Sequence, residues 1–474
     1  MAVPMDRAQA LASKEVDLIR TLIMAGIAVL VTVLATQSGQ AIVVFVLIGI
    51  MVLLPVIFFR WPDNALAVLF VAVAVPRVSL KILGLNMKVE HAVAGLIAMG
   101  VLIGFKTSIQ KLRLVDYLLI SFLFVTLFSS AFCSPEPATT LKNAVIFSLA
   151  VLCYWLPGAL IRDADGWRRA MLLFLAVGTA EALFGILCFG AHRMLGTTLG
   201  ITYYSYLDAL PAVHGSQWEP NIFGSYVSAF TAIFLFLYLQ NKETRGWYLG
   251  GMIITGLAAL LSLARASWIG FVVAALIALF WRSGSRSSFS RTLMAVLIFA
   301  CIGGFAFISA SRIGSIRERV GTLAPDEVLD DPTLVHRLLY INFAMQDIAA
   351  HPWLGTGSDS FGLLWNWETE EGTEPAWVGN IFVRIWHDSG LIGLALFLGF
   401  VGALGLEAWK YFKAQRDTPI GRLIGALLVG SVVLVVAFQA TEASTLAWSW
   451  VYLGLLGAFV SISRKTAESI ASRA

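Results

Sequence analysis

Long apolar runs separated by short polar turns fill the chain from residue 17 to residue 463. A helix needs roughly 20 apolar residues to cross the hydrocarbon core of a bilayer. Runs of that kind fall at 17–36, 41–59, 64–80, 89–105, 115–133, 140–161, 168–190, 221–240, 246–264, 267–282, 292–310, 386–409, 420–438 and 446–463. The third and tenth are short, so the pattern predicts about 12 to 14 transmembrane helices. The expected fold class is therefore an all-α polytopic membrane protein with one large extracytoplasmic loop.

Two polar interruptions are longer than turns. Residues 191–220 form a loop between the seventh and eighth runs, and 311–385 form a loop too large for a simple connector. Within the larger one, DDPTLVHRLLYINFAMQDIAAHP reads as an amphipathic helix with Leu334, Leu338, Ile341, Met345 and Ile348 at helical spacing. Asp331 is placed to cap it, Pro332 suits its first turn, and Pro352 ends it. WLGTGSDSFG then has turn chemistry, and the acidic run Glu368, Glu370, Glu371 and Glu374 is expected in solvent. The chain divides into an N-terminal bundle (1–310, about 11 helices), the loop (311–385) and C-terminal helices (386–474, about 3). No internal repeat is evident, which weighs against a transporter built from duplicated halves.

Composition sharpens this picture. Of 474 residues, 58% are hydrophobic and only 13% charged, about half the charged share of a soluble domain. With the N-terminus placed in the cytoplasm, the inner loops and tails hold 22 of the 33 basic residues. That two-to-one bias fixes the expected orientation, with both termini cytoplasmic. No cleavable signal is evident, so the first run is expected to stay as an anchor. Cys133, Cys153, Cys188 and Cys301 have the spacing of neither a disulfide framework nor a zinc site. No P-loop, dinucleotide fingerprint, metal-ligand cluster or aromatic-basic patch for nucleic acid occurs.

The basic residues that oppose the bias are the ones that need a reason. Arg265, in LSLARASWIG, lies between the ninth and tenth runs with no acid close in sequence. It is either an interfacial snorkelling residue or a bidentate phosphate ligand, and the second reading is preferred. Arg193, in HRMLGTTLG, has the same two readings with neither preferred. Downstream, Glu219 and Pro220 read as a helix start, with Asn221 aimed into the mouth of the bundle. Arg337 sits on the loop helix, where solvation is the ordinary expectation for an arginine. Arg384 and Asp388 are spaced to pair on one helical face, and His387 is a candidate general base, though a histidine at a helix start is more often structural.

In order along the chain, these segments resemble the O-antigen ligase and Wzy-type O-antigen polymerase family. The resemblance rests on Arg193-x-Leu-Gly-Thr followed by Glu219-Pro-Asn221-Ile-Phe-Gly, on Ala-Arg265-Ala-Ser, and on the large loop. That loop carries His351-Pro-Trp-Leu-Gly-Thr-Gly357, then Asn380-Ile-Phe and Ser389-Gly-Leu-Ile-Gly393. The resemblance covers roughly residues 190–400.

It implies a glycosyltransferase of the bacterial inner membrane, working on the periplasmic face, where the large loop would lie. Such an enzyme moves or polymerises glycan repeat units from a polyprenyl-pyrophosphate carrier to a glycan, lipid or protein acceptor, without metal, nucleotide sugar or other cofactor. Arg193 and Arg265, assisted by Arg337, would hold the pyrophosphate. Asn221, Asn380 and Arg384 would contact substrate; with Gly379 at the place of the family's histidine, His387 or Asp388 would stand in as base, or the base lies elsewhere. Membrane lipid and other polysaccharide-assembly membrane proteins would be its neighbours; nucleic acid is not expected. The chain departs from the family where a His-Asn pair reads Gly379-Asn380, and this favours a polymerase over a ligase. A lipid-linked oligosaccharide flippase is the rival from another class. A large outer loop, and charges placed outside rather than at mid-membrane, count against it. A purely structural membrane protein would leave Arg265 without a role.

Overall fold

The computed structural model describes residues 62–77, 79–82, 85–103, 112–161, 166–204, 210–240, 245–282, 332–369 and 372–472. The expected spans 17–36, 41–59 and 292–310 lie outside the described residues, as do Asp331 and Cys301.

Every other expected span contains a helix. In chain order these are α1 (Pro62–Ala74), α2 (Val89–Ile103), α3 (Leu114–Phe132), α4 (Pro137–Leu152) with the short α5 (Trp155–Leu160), and α6 (Gly166–Leu195). Next come α7 (Pro220–Gln240), α8 (Arg245–Leu261) and α9 (Arg265–Arg282). The large loop carries α10 (Pro332–Ala350) and the single turn α11 (Phe361–Leu364); α12 (Ile381–Ala414), α13 (Pro419–Ala437) and α14 (Ala447–Ala471) follow. Six of the described helices are long and apolar enough to cross a membrane, and four shorter apolar ones accompany them. The chain is an all-α polytopic membrane protein.

The boundaries differ from the apolar runs where local chemistry intervenes. Helix α1 stops at Ala74, because Pro76 cannot extend it. Helix α12 begins at Ile381, before its apolar run, because the Asn380 carboxamide caps it by accepting from Phe382 N–H (3.0 Å) and Val383 N–H (3.2 Å). Helix α6 runs on through His192 and Arg193, cations that suit its carboxyl end. The loop after it is not irregular throughout: β3 (Ile201–Tyr204) and β4 (Leu210–Val213) pair as an antiparallel hairpin. Similar hairpins join β1 (Ser79–Ile82) to β2 (Leu85–Lys88) and β5 (Asn366–Thr369) to β6 (Gly372–Pro375).

Helix α7 is the axis of the bundle. Its apolar window is 94% buried, against 39% for α3, as expected of a helix that is hydrophobic all round and enclosed by protein. Small residues let neighbours approach it. Gly178 of α6 faces Phe230, Gly251 of α8 faces Phe234, and Gly425 of α13 faces Phe236. On peripheral helices large apolar side chains stay exposed, among them Phe124, Phe132, Trp247, Phe280 and Leu406. In water such a surface would be a liability; against lipid it is the natural exterior.

Packing brings the polar segments to one end. Ser216 Oγ and Gln217 Nε2 both donate to Ala74 O at the end of α1. The turn at Ser262–Ala264 packs on Gly224, near the start of α7. Phe438 O, just after α13, accepts from Ile381 N–H at the start of α12 (3.0 Å). The larger loop docks on the same start of α12.

That docking exploits a break inside α12. Gly390 has φ 66° and ψ −175°, so the helical ladder is interrupted there. His387 O and Asp388 O accept instead from Thr356 N–H (2.9 Å) and Gly357 N–H (3.0 Å), while Leu391 N–H donates to Pro352 O (2.8 Å). Ser129 Oγ of α3 adds a second bond to Asp388 O (2.9 Å). Gly355 and Gly357 also have positive φ. A Cβ on Gly355 would meet the Gly390 nitrogen at 2.6 Å. The Gly-x-Gly of the loop and the Gly390 break are thus one interlocked unit. Gly390→Ala is expected to cost about 2 kcal/mol or more, from strain at positive φ and collision with the Trp353 carbonyl. A lowered unfolding temperature of the purified protein in detergent checks this.

Candidate functional site

The start of α12 carries Asn380, Arg384, His387 and Asp388 on successive turns, so the helix projects them towards the loop end of the bundle. Arg384 is the centre of the arrangement. Its Nη1 donates to Glu442 Oε2, in the segment between α13 and α14. Its Nη2 donates to Asp359 Oδ1 in the 351–360 turn (2.8 Å), and its Nε lies 3.7 Å from Asp388 Oδ2, the pair expected from the i,i+4 spacing. Asp388 Oδ2 also accepts from Asp359 N–H (2.9 Å). Three segments distant in sequence are thereby tied to one guanidinium, whose planar fork serves several acceptors at once.

His387 is enclosed. Its side chain has no exposure; Nδ1 lies 3.0 Å from Asp388 Oδ1 and Nε2 lies 3.2 Å from Asp347 Oδ2 on α10. Asp347 in turn accepts from Trp365 Nε1 (2.8 Å). The imidazole therefore joins the loop helix to the broken helix. Both ring nitrogens have protein partners, which leaves neither open to a substrate hydroxyl in this arrangement. Asn380 is likewise engaged: beyond its cap, Nδ2 donates to the Gln439 side chain (3.1 Å). His351 is exposed, and its backbone closes the end of α10.

The network extends along the loop end. Glu219 is half-buried and accepts from Thr441 Oγ1 (2.7 Å), one residue from Glu442. Burial pushes the Glu219 carboxyl up from its ordinary range, opposed by the Thr441 hydroxyl and by the nearby Arg337 charge. Lys88 lies over the Trp218 ring, 5.6 Å from its centroid. Burial lowers the Lys88 pKa, while Glu90 and Glu442 pull it back up. On the far side Arg77 Nη1 is 3.0 Å from His214 Nε2. Burial, with the Arg77 charge, lowers His214 to about 4, so that imidazole is neutral at pH 7.

The other expected cations occupy the same end at separate places. Arg265 is the first residue of α9 and half-buried, directly after a tight turn in which Leu263 has φ 56°. Arg193 is exposed at the end of α6, with its guanidinium over the Phe189 ring (5.4 Å). Asn221 is half-buried on the first turn of α7, two residues past Glu219. Arg384, His387 and Asp388 are thus in direct contact, Arg337 joins them electrostatically through Glu219, and Arg193 stands apart. No group of three or more His, Cys, Asp and Glu arranged to hold a metal ion occurs among the described residues.

Residues 250–398 match the family model described as O-Antigen ligase. The match takes in Arg265, Arg337 and the whole interlocked unit from Pro352 to Ile392. The resemblance read from the motifs is borne out in this segment, and the match supports an O-antigen ligase or polymerase type of function in general. Such a function involves a lipid-linked glycan and an acceptor. A search of curated proteins gave no match.

Glu442, Asp359, Asp347 and Lys88 were not singled out from sequence, and Glu219 was read as a helix start alone. A signal existed for Glu442, an acid in the short link between two strongly apolar runs. Arg384→Ala would strand Glu442, whose side chain is only 3% exposed. It is expected to destabilise the protein by about 3–5 kcal/mol. Adding Glu442→Gln should recover much of that loss, and a double-mutant cycle on unfolding midpoints measures the coupling.

Proposed function

We propose that the chain is a glycosyltransferase that polymerises glycan repeat units carried on a polyprenyl pyrophosphate, at the periplasmic face of a bacterial inner membrane. The observation that carries this reading is the gathering of cations and carboxylates at one end of an otherwise apolar bundle, beneath the segment matched to the O-antigen ligase family. Glycosyl transfer from a lipid pyrophosphate needs both kinds of group: fixed positive charge for the leaving pyrophosphate and a base for the attacking hydroxyl. The acceptor hydroxyl oxygen attacks the anomeric carbon, and the bond from that carbon to the pyrophosphate oxygen breaks. Its electron pair leaves with the lipid pyrophosphate.

Arg265, Arg193 and Arg337 bind the pyrophosphate, and Asn221 lies at the mouth. Arg384, His387, Asp388 and Asn380 hold the acceptor side in shape. The chemistry needs no metal. The surplus of basic residues on the opposite loops supports cytoplasmic termini. A second reading, transfer of finished glycan to a lipid or protein acceptor, is favoured by the description of the matched model. Gly379, at the place of the family's histidine, favours polymerisation.

Glycan analysis in a deletion strain complemented with wild type, Arg265→Ala or Arg265→Lys tests both readings. Arg265→Ala is expected to reduce product by about a hundredfold or more. Arg265→Lys should restore only part, since a point charge replaces a bidentate fork. Single repeat units still transferred to their acceptor, without long chains, identify a polymerase. Long chains stranded on the lipid carrier identify a ligase. Repeat units trapped on the cytoplasmic face would overturn both in favour of a flippase, and full activity in both variants would remove Arg265 from pyrophosphate binding.

A further inference from the structure

The acceptor hydroxyl must lose a proton, and the histidine that the family resemblance would supply is replaced by Gly379. The nearest histidine, His387, has both ring nitrogens engaged and no exposed side-chain surface. The base must be a group that an incoming hydroxyl can reach. Three carboxylates surround Arg384, and their exposure separates them. The Glu442 side chain is 3% exposed, with Oε1 accepting from Ser444 N–H and Oγ–H and Oε2 held by Arg384. The Asp388 side chain is 11% exposed, with Oδ1 on His387 and Oδ2 on the Asp359 amide. The Asp359 side chain is 54% exposed. Its Oδ1 accepts from Arg384, while Oδ2 has no hydrogen bond among the described residues.

We infer that Asp359 is the general base: its free carboxylate oxygen accepts the acceptor hydroxyl's proton as that hydroxyl attacks the anomeric carbon. This rests on the glycosyl-transfer reading above and supplies the residue that reading lacks. The proton moves to Asp359 Oδ2, the new carbon–oxygen bond forms, and the carbon–pyrophosphate bond breaks with its electrons on the pyrophosphate. Arg384 holds Oδ1, so the carboxylate plane is set before substrate arrives.

Two further features bear on this role. Asp359 has φ 58°, an uncommon conformation for a residue with a side chain. The donation of its amide to Asp388 Oδ2 keeps it there. Without that turn the carboxylate would not lie on Arg384. Desolvation by the protein around it also shifts the Asp359 pKa upward, an effect its open face moderates; Arg384 opposes the shift, and Asp388 and Glu442 reinforce it. A base raised in this way is a better proton acceptor than an ordinary aspartate.

The test uses the full chain, purified and reconstituted in lipid, with polyprenyl-pyrophosphate-linked repeat units as donor and acceptor. For wild type, kcat is expected to fall as pH drops through the raised Asp359 pKa, because protonation removes the base. Asp359→Asn, nearly isosteric, should lower kcat by about a hundredfold or more, leave donor KM within about threefold, and lose the acidic limb of the profile. Asp359→Glu keeps the carboxylate at a displaced position and should retain an intermediate rate with an acidic limb. An Asp359→Asn enzyme with near-normal kcat and an unchanged pH profile overturns the inference. So does a wild-type kcat that shows no acidic limb, which is informative even if the variants fail to fold. A wild type that forms no glycan product at any pH overturns the transfer reading itself, a result distinct from either.

Discussion

A helix that breaks inside a membrane protein must satisfy the backbone groups it frees, because lipid offers them no partner. The start of this structure's functional end is such a break, at Gly390 in α12. Four backbone bonds, between residues 352–357 and residues 387–392, restore the pairing. The loop is consequently fixed on the helix by main chain, whatever side chains it carries. Close approach is possible only because Gly355, Gly357 and Gly390 all adopt positive φ. Everything that follows at the loop end is positioned by this join: Asp359 on Arg384, Asp347 against His387, and α10 against α12.

Side-chain charge then takes up what the backbone has arranged. Arg384 is 12% exposed and would be costly there alone. Glu442, Asp359 and Asp388 compensate it, and each comes from a different stretch of chain. Such a pairing is weak evidence for stability in itself, since burial of both charges costs about as much as their attraction returns. Its stronger effect is on geometry, because only one mutual placement of α12, the 351–360 turn and the 438–446 link satisfies all the acids. The same reasoning places His387 among the groups that hold the site together rather than those that meet substrate.

Much of this could be read from sequence. Hydropathy located the helices wherever the structure describes them, since about 20 apolar residues have few alternatives in a bilayer. The i,i+4 spacing of Arg384 and Asp388 gave their pair, and Pro332 and Pro352 bracketed α10. Three things were not legible. The hairpin at 201–213 lies in a stretch with no clear alternation, and its pairing is set by contact with α6. The Gly390 break looked like an ordinary glycine in a transmembrane helix, because the groups that repair it lie about 35 residues upstream. The partners of Arg384 were hidden for the same reason: Asp359 and Glu442 lie on either side of it, too far in sequence for any local rule.

The distribution of cations bears on what kind of protein this is. A flippase carries a charged head group through the membrane, so its charges belong along a central path at mid-depth. Here the axis of the bundle, α7, carries no charged residue, and packs through Phe230, Phe234 and Phe236. The cations Arg77, Lys88, Arg265, Arg337 and Arg384 are instead on or beside segments at the loop end. Arg384 is already matched by three carboxylates, so pyrophosphate charge would have to be met by others. In the proposed chemistry Arg265, the first residue of α9 after the Leu263 turn, is one of those others. Among the described residues, an uncharged axis and a charged end suit the proposed reaction at the membrane surface, where the lipid tail stays in the bilayer and the sugar remains in water.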